Sequence, residues 1–321
     1  MCRPRELGGR RCPQHTDPVK HAAYNARRRE LYAAQKGTKK TPVETNVSLF
    51  PDFSKVRYSA TYRDTPTFNA HVKESSAFED NLNKALKEYE DKMYNGSSLD
   101  DESMTRLEEL ADEASVKQDE LVDALNYYTT SGYDNTRHYF SDQRDVYGIP
   151  FTDHQKEEIE KRVKSLDECF EYAPKLKSPR LVYRGIRLPE NTSTSAWVKE
   201  HFPVGGVVSQ KNYMSTTRDP YLALTTFSEK PDELDDEDNA YDEDQESVVF
   251  EILSKQGVAL GDRTSTFSEE LEVFMPRDAR FKVESVHLAQ PVEIKLDSKD
   301  PFGRKEIRTI VRLVDVSEDA S

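Results

Sequence analysis

The order of its periodicities places this chain in the α+β class. Apolar residues at helical spacing dominate from about residue 75 to 171, and short β-branched and aromatic runs dominate from Leu181 onward. Before both lies a stretch of 68 residues that shows neither pattern. Helices followed by strands predict one segregated domain over residues 69–321, preceded by a basic extension and linker over residues 1–68.

Within the extension, Asp17–Ala34 reads as a basic helix carrying Arg27, Arg28 and Arg29, capped at Thr16 or Asp17 with Pro18 in its first turn. Gly37, Pro42, Pro51 and Pro66 then punctuate a linker with room for a short strand. Helices are expected over Ser75–Met93, Ser103–Ala114 and Val116–Tyr128, the last with Leu121, Leu125 and Tyr128 on one side and Gly132 as its stop. Asp153–Glu171 is a further helix whose Ile159, Val163, Leu166 and Phe170 form a buried stripe. Cys169 sits beside that stripe as a small buried hydrophobe. Strands are expected over Leu181–Arg184, Gly206–Ser209, Asn212–Thr216, Val248–Leu253, Val258–Leu260, Leu271–Met275, Arg280–Leu288 and Ile307–Val314. Between them, Asp219 and Pro220 cap and open a short helix, Tyr221–Phe227.

Composition bounds the function. Hydrophobic residues make up 35% and charged residues 33% of 321, polar enough that part of the length is expected not to pack. No run approaches the roughly 20 apolar residues that span a bilayer, and Met1–Gly9 lacks the apolar core of a signal peptide. The chain is therefore expected to be made in the cytoplasm, with any export or injection by a route that uses no signal peptide. The net charge of −14 is unevenly placed: residues 1–40 hold eleven Lys or Arg against three acids, a balance of +8 that leaves −22 on the other 281. A basic tail can touch nucleic acid, an acidic partner or an anionic membrane, whereas the acidic body repels phosphate backbones. Nucleic acid is thus not expected as the main substrate. Pro231–Ser247, dense in Asp and Glu, reads as a solvated loop; it lacks the spaced ligands and turn glycine of a calcium loop.

Three cysteines, Cys2, Cys12 and Cys169, do not make a disulfide framework. Cys2, Cys12, His15 and His21 supply four metal-capable side chains whose spacing fits no strong zinc pattern. A small zinc site is therefore the lesser reading beside a basic leader.

The densest chemical signal is Phe267-Ser268-Glu269-Glu270-Leu271-Glu272-Val273-Phe274. If Leu271–Met275 is a strand, Glu270 and Glu272 share one face and Leu271, Val273 and Met275 the other. Two carboxylates so close repel, and one has its pKa raised unless a cation offsets it.

With Val182-Tyr183-Arg184-Gly185 and Tyr213-Met214-Ser215-Thr216-Thr217 upstream, this segment completes an ordered set. The set resembles the mono-ADP-ribosyltransferases of the arginine, serine, glutamate class, which include clostridial binary-toxin enzymatic components and phage-encoded transferases. Tyr128-Thr129-Thr130-Ser131-Gly132-Tyr133 is similar to that family's helix-ending signature, and Val248–Ile252, Val273–Arg277 and Phe281–Val283 to its flanking strands. The resemblance covers roughly residues 70–320. It implies helices followed by a split two-sheet β core, NAD as co-substrate with no metal needed for catalysis, and a toxin or a phage or bacterial effector in the glycosyltransferase class, grouped with nucleotidyltransferase-like enzymes.

The resemblance also distributes roles. Arg184 offers a planar fork to the NAD diphosphate, and Gly185 lets a flat nicotinamide approach the backbone. Ser215 orients the catalytic carboxylate, Thr216 lies in the cofactor-binding strand, and Phe227 is the phenylalanine that packs on nicotinamide or in the core. Thr217 departs from the family's second serine. Glu272 stabilises the ribose cation, Glu270 orients and deprotonates the acceptor, and Phe267 contacts the protein substrate. Glu at position 270 goes with arginine acceptors in the family. The expected function is transfer of ADP-ribose from NAD to arginine on a protein. Alternatives are NAD hydrolysis, transfer to a small molecule or nucleic acid, and a non-enzymatic interaction protein with a docking tail.

Overall fold

Helix capping and burial set the first layer. In the computed structural model, which describes residues 50, 58–59, 65–94, 100–145, 147–188, 192–228, 247–295 and 304–317, β1 (Tyr58–Ser59) precedes α1 (Pro66–Leu82). The Thr65 hydroxyl accepts from the Phe68 N–H at 3.1 Å and Pro66 opens α1, nine residues before the expected start at Ser75. The boundary expected at residue 68 thus falls inside a helix, and Phe50 is also buried, its ring 5.2 Å from the Arg312 guanidinium. Asp17–Ala34, Cys2, Cys12, His15, His21 and the acidic 231–246 stretch lie outside the described residues.

The single helix expected over Ser75–Met93 is broken at Asn83, which separates α1 from α2 (Lys84–Tyr94). The Asn83 side chain accepts from the Gln118 amide and from Arg263 Nη1, so it serves tertiary contacts at the break. Conversely, the two helices expected over Ser103–Ala114 and Val116–Tyr128 are one, α3 (Asp101–Tyr127), capped by Asp100; no Gly or Pro interrupts it. Gly132 does not stop it. A π turn, Tyr128–Gly132, carries the chain directly into α4 (Tyr133–Ser141). Gly132 is needed for space: a Cβ there would lie 2.1 Å from the Tyr127 ring. α5 (Asp153–Cys169) starts in a capping box between Thr152 and Gln155 and buries Ile159, Leu166 and Cys169. Burial pushes the Cys169 thiol up to about 12, as fits a packing residue rather than a nucleophile.

The second layer is β-structure. β2 (Arg180–Ile186), α6 (Thr194–His201), β3 (Val207–Gln210), β4 (Met214–Thr217), α7 (Pro220–Thr225), β5 (Ser247–Ser254), β6 (Val258–Ala259), β7 (Glu272–Met275), β8 (Ala279–Lys295) and β9 (Arg304–Asp315) follow in order. The sequence reading left α6 unassigned. Asp219 caps α7 as expected, accepting from the Tyr221 N–H at 2.9 Å.

The strands run β1-β8-β9-β5-β2-β4-β7-β6, with β3 added on β8. β5 pairs with β9 and β1 with β8 in parallel; the other ladders are antiparallel. The path nearly divides in the middle, because β2 meets β4 at one residue pair, Tyr183 opposite Thr217. Met214, Ala259, Val273 and Met275 from one half and Val182, Phe250, Ile252, Val283, Val311 and Leu313 from the other pack into one apolar cluster. This is the split β core, a folded-over sheet with a narrow seam.

On its other face the small half meets the helices. Tyr213, Val258, Leu260 and Phe274 cluster with Phe78, Leu121, Leu125, Tyr128 and Leu166. Phe274 centres this aromatic layer, with ring centroids of Tyr128, Tyr213 and Phe170 at 4.8, 5.1 and 5.2 Å. Truncation to Phe274→Ala is expected to cost about 3–5 kcal/mol and to lower the melting temperature by roughly 10 °C. A thermal melt showing a loss below about 1 kcal/mol would remove Phe274 from that central role.

Candidate active site

Where β2 and β4 separate, three of the residues singled out from the sequence converge. Arg184 Nη1 donates to the Ser215 carbonyl at 2.6 Å, which spans the seam one residue beyond the Tyr183–Thr217 pair. The Ser215 hydroxyl in turn donates to Glu272 Oε1. Ser215 and Glu272 meet diagonally because Ser215 faces Phe274 and Thr217 faces Glu272 in the antiparallel register of β4 and β7.

Burial decides the electrostatics. Glu272 is 6% exposed, and desolvation pushes its carboxyl up to about 7 although the Ser215 hydroxyl and the Arg184 charge both pull it down. Desolvation likewise lowers the Arg184 guanidinium from its ordinary value, while the nearby Tyr128 and Glu272 groups favour its charge. Tyr128, at the start of the π turn, is 5% exposed, and burial raises its hydroxyl pKa. It interacts electrostatically with both Arg184 and Glu272. From the sequence Tyr128 is expected only in a helical stripe and a signature; the fold brings it to this site.

The paired-carboxylate expectation changes in detail. β7 begins at Glu272, so Glu270 is not on the strand; it ends a 3-10 turn, Ser268–Glu270. Between them Leu271 takes the left-handed conformation (φ 49°, ψ 45°) and is buried. A bulky residue there carries strain of order 1 kcal/mol, offset by its surroundings. The Arg218 N–H donates to the Leu271 carbonyl at 3.1 Å, and the Thr217 hydroxyl donates to the Glu270 carbonyl at 2.5 Å while accepting from the Asp219 N–H at 2.9 Å. The threonine that replaces the family's serine therefore pins the turn. Phe267 opens this turn, its carbonyl accepting from the Glu270 N–H at 2.9 Å, and both side chains are half-buried.

Thr216 alternates to the other face of β4 from Ser215, and its hydroxyl is engaged by the Val273 carbonyl at 2.7 Å. There its hydroxyl closes a sheet hydrogen bond on the face away from Ser215. Gly185 is required by packing, since a Cβ there would lie 2.1 Å from the Ala223 carbonyl on α7 and 3.0 Å from the Phe227 backbone. Gly185 and Phe227 are thus brought together at the end of α7. Among the described residues no group of three or more His, Cys, Asp or Glu could hold a metal, and no helix is long and apolar enough to cross a membrane. The zinc candidates lie outside those residues.

A family model described as ADP-ribosyltransferase exoenzyme matches residues 83–301. No curated protein sequence matches. Among solved structures, the Vis toxin from Vibrio splendidus shares 18% identity over 70% of this chain and 90% of its own, with a TM-score of 0.39. The Clostridium limosum C3 exoenzyme shares 14% over 82% and 99%, with a TM-score of 0.41. The C2-I component of the Clostridium botulinum C2 toxin shares 13% over 61% of this chain and 44% of its own, with a TM-score of 0.40. At such values the family model, and not these superpositions, carries the assignment.

Glu272 also predicts a stability effect. Between its ordinary 4.5 and about 7 the folded chain holds a proton that the unfolded chain has lost, so stability falls as pH rises through that window. Above it the cost is on the order of 3 kcal/mol. Glu272→Gln, neutral throughout, is expected to melt higher than the parent at pH 8, with the advantage shrinking toward pH 5. Melting curves showing the same shift at both pH values would contradict this account of the burial.

Proposed function

Because the chain belongs to the ADP-ribosyltransferase exoenzyme family and so is a mono-ADP-ribosyltransferase that uses NAD, we propose that its acceptor is an arginine on a target protein. We assign Glu272 to the ribose, Arg184 to the diphosphate and Glu270 to the acceptor. The observation that carries this reading is the continuous link from Arg184 through the Ser215 carbonyl and hydroxyl to Glu272, in a buried seam.

The chemistry needs that arrangement. As the bond from ribose to nicotinamide breaks, its electron pair leaves with nicotinamide and positive charge develops on the sugar. An ionised Glu272 facing that cation stabilises the transition state more than the ground state. Ser215 fixes the carboxylate rotamer and favours its ionised form. A guanidinium nitrogen of the acceptor then bonds the anomeric carbon and gives up a proton to Glu270. Glu270 suits that task because it stands on the turn outside the strand and is more exposed than Glu272, so it meets a macromolecular partner while Glu272 stays dry.

Labelled NAD with a mixed protein substrate, followed by site mapping, tests the proposal. Glu272→Gln is expected to lower both transfer and NAD hydrolysis by about a hundredfold or more. Glu270→Gln is expected to lose arginine labelling while hydrolysis stays within about tenfold of the parent. Free ADP-ribose from the parent without protein labelling would favour hydrolysis, and full arginine labelling by Glu270→Gln would sink the acceptor assignment. Since Glu272 must be ionised to act, NAD cleavage is expected to rise with pH through about 7, and Ser215→Ala, which removes a bond that lowers this pKa, to move that rise to higher pH.

A further inference from the structure

A buried charge cluster beside the seam takes no part in the chemistry above, yet it touches the strands that carry it. Glu74, on α1, reaches two arginines at once: its Oε2 lies 3.0 Å from Arg180 Nη1, and its Oε1 pairs with Arg218 Nη2. Arg180 opens β2, four residues before Arg184, and Arg218 directly follows β4, three residues after Ser215. Their residual exposures are 8% and 3%, and the Glu74 side chain keeps 17%, so the bridge is largely shielded from water. A carboxylate facing two buried guanidiniums cannot be neutralised without leaving charge unpaired, which is far costlier than losing a surface pair.

The cluster connects to the site through the backbone. Arg218 donates its N–H to the carbonyl of Leu271, the left-handed residue next to Glu272. Arg180 Nη2 donates to the Gln256 carbonyl at 2.5 Å, just before β6. One turn before Glu74, His71 Nε2 lies 2.9 Å from the Leu260 carbonyl, and the Leu260 N–H donates to the Glu272 carbonyl at 2.9 Å. Burial lowers the His71 pKa to about 4, so the ring is neutral near pH 7 and its Nε2–H serves as the donor. The turn after Leu260 also rests directly on α1: a Cβ on Gly261 would lie 2.7 Å from Glu79 Oε1 and 3.2 Å from Ser75. α1 thus grips β2, the end of β4 and the partner of β7, across the place where the sheet has one residue pair.

We propose that Glu74 is a positioning residue for NAD cleavage, bridging Arg180 and Arg218 so that Arg184 on β2 and Glu272 beside Leu271 keep the separation that one bound dinucleotide needs. This rests on the roles given to Arg184 and Glu272 above. Glu74 acts through the two arginines, and its loss lets the two halves of the sheet drift at their junction.

Glu74→Gln tests it, since the variant keeps shape and removes charge. The variant is expected to fold, with kcat for NAD cleavage per folded molecule down about tenfold or more and KM for NAD within about threefold, because the placement of Glu272 rather than the grip on the diphosphate is disturbed. A lower melting temperature with unchanged kcat per folded molecule overturns the proposal. Should Glu74→Gln fail to fold, Glu74→Asp, which keeps the charge but is one methylene short of reaching both arginines, is read by the same criteria. The parent is assayed alongside. If the parent does not cleave NAD, the catalytic reading fails separately, and amide hydrogen exchange over residues 258–272 decides the bridge: faster exchange in the variant supports it, and unchanged exchange overturns it.

Discussion

The constraint on which the rest depends is a carboxylate kept nearly dry. Glu272 sits in a seam where desolvation outweighs a hydroxyl donor and a nearby guanidinium, so its charge is held at the edge of ionisation. In water the same groups would be screened and their orientation lost. The seam exists because β2 and β4 share only one residue pair, while the two halves of the core stay packed in one cluster. What fixes the candidate site does so by holding the two halves of the sheet at this junction.

Three packed surfaces hold that junction. The cluster between the two halves fixes their inner faces, the aromatic layer around Phe274 fixes the small half against the helices, and α7 fixes the large half through Ala223 and Leu224 on Tyr183, Val249 and Ile310. The contact of Gly185 with Ala223 belongs to this last surface: the glycine next to the site arginine lets a helix seat on the sheet. A second fastening ties the helical layer to the small half, where the Asp167 carboxylate accepts from Tyr213 at 2.6 Å and from two nitrogens of Arg277 at 2.8 and 2.9 Å. A bidentate pair of this kind fixes direction as well as distance.

Much of this was legible in the sequence because it depends on local pattern. The period of β4 and β7, the Asp219 cap and the apolar stripe of α5 follow from spacing, and Arg184, Ser215 and Glu272 were readable as an ordered set. What was not legible depends on approach between distant segments. Gly132 has the type of a helix stop, and only the Tyr127 ring above it shows that it is needed for clearance. Leu271 reads as a strand residue; its left-handed backbone accompanies bonds from the end of β4, where Thr217 holds the Glu270 carbonyl and the Arg218 N–H holds the Leu271 carbonyl. Asn83 looks like an ordinary helix residue until Gln118 and Arg263 arrive from elsewhere in the chain. Thr216 and Ser215 are adjacent and chemically alike, and strand alternation separates a sheet bond from a site residue.

Geometry, and not ionisation alone, sets the candidate site apart within the molecule. Glu251 is also fully buried and is also pushed by burial up to about 7, against the pull of Arg312 at 2.8 Å. By perturbation alone it ranks with Glu272. Yet Glu251 lies mid-strand on β5, directly opposite Arg312 of β9 and Tyr183 of β2, with strands hydrogen-bonded on both sides. Phe50 lies against its arginine, and among the described residues its carboxylate pairs with that arginine. Glu272 differs by opening β7 at the end of the β4–β7 ladder, with the Ser215 hydroxyl on its carboxylate. A raised carboxylate in mid-strand, paired only with its arginine, is a cost that the fold absorbs; the Glu272 carboxylate at the end of its ladder, oriented by Ser215 and faced by Arg184, has the surroundings that the proposed role on a cation needs.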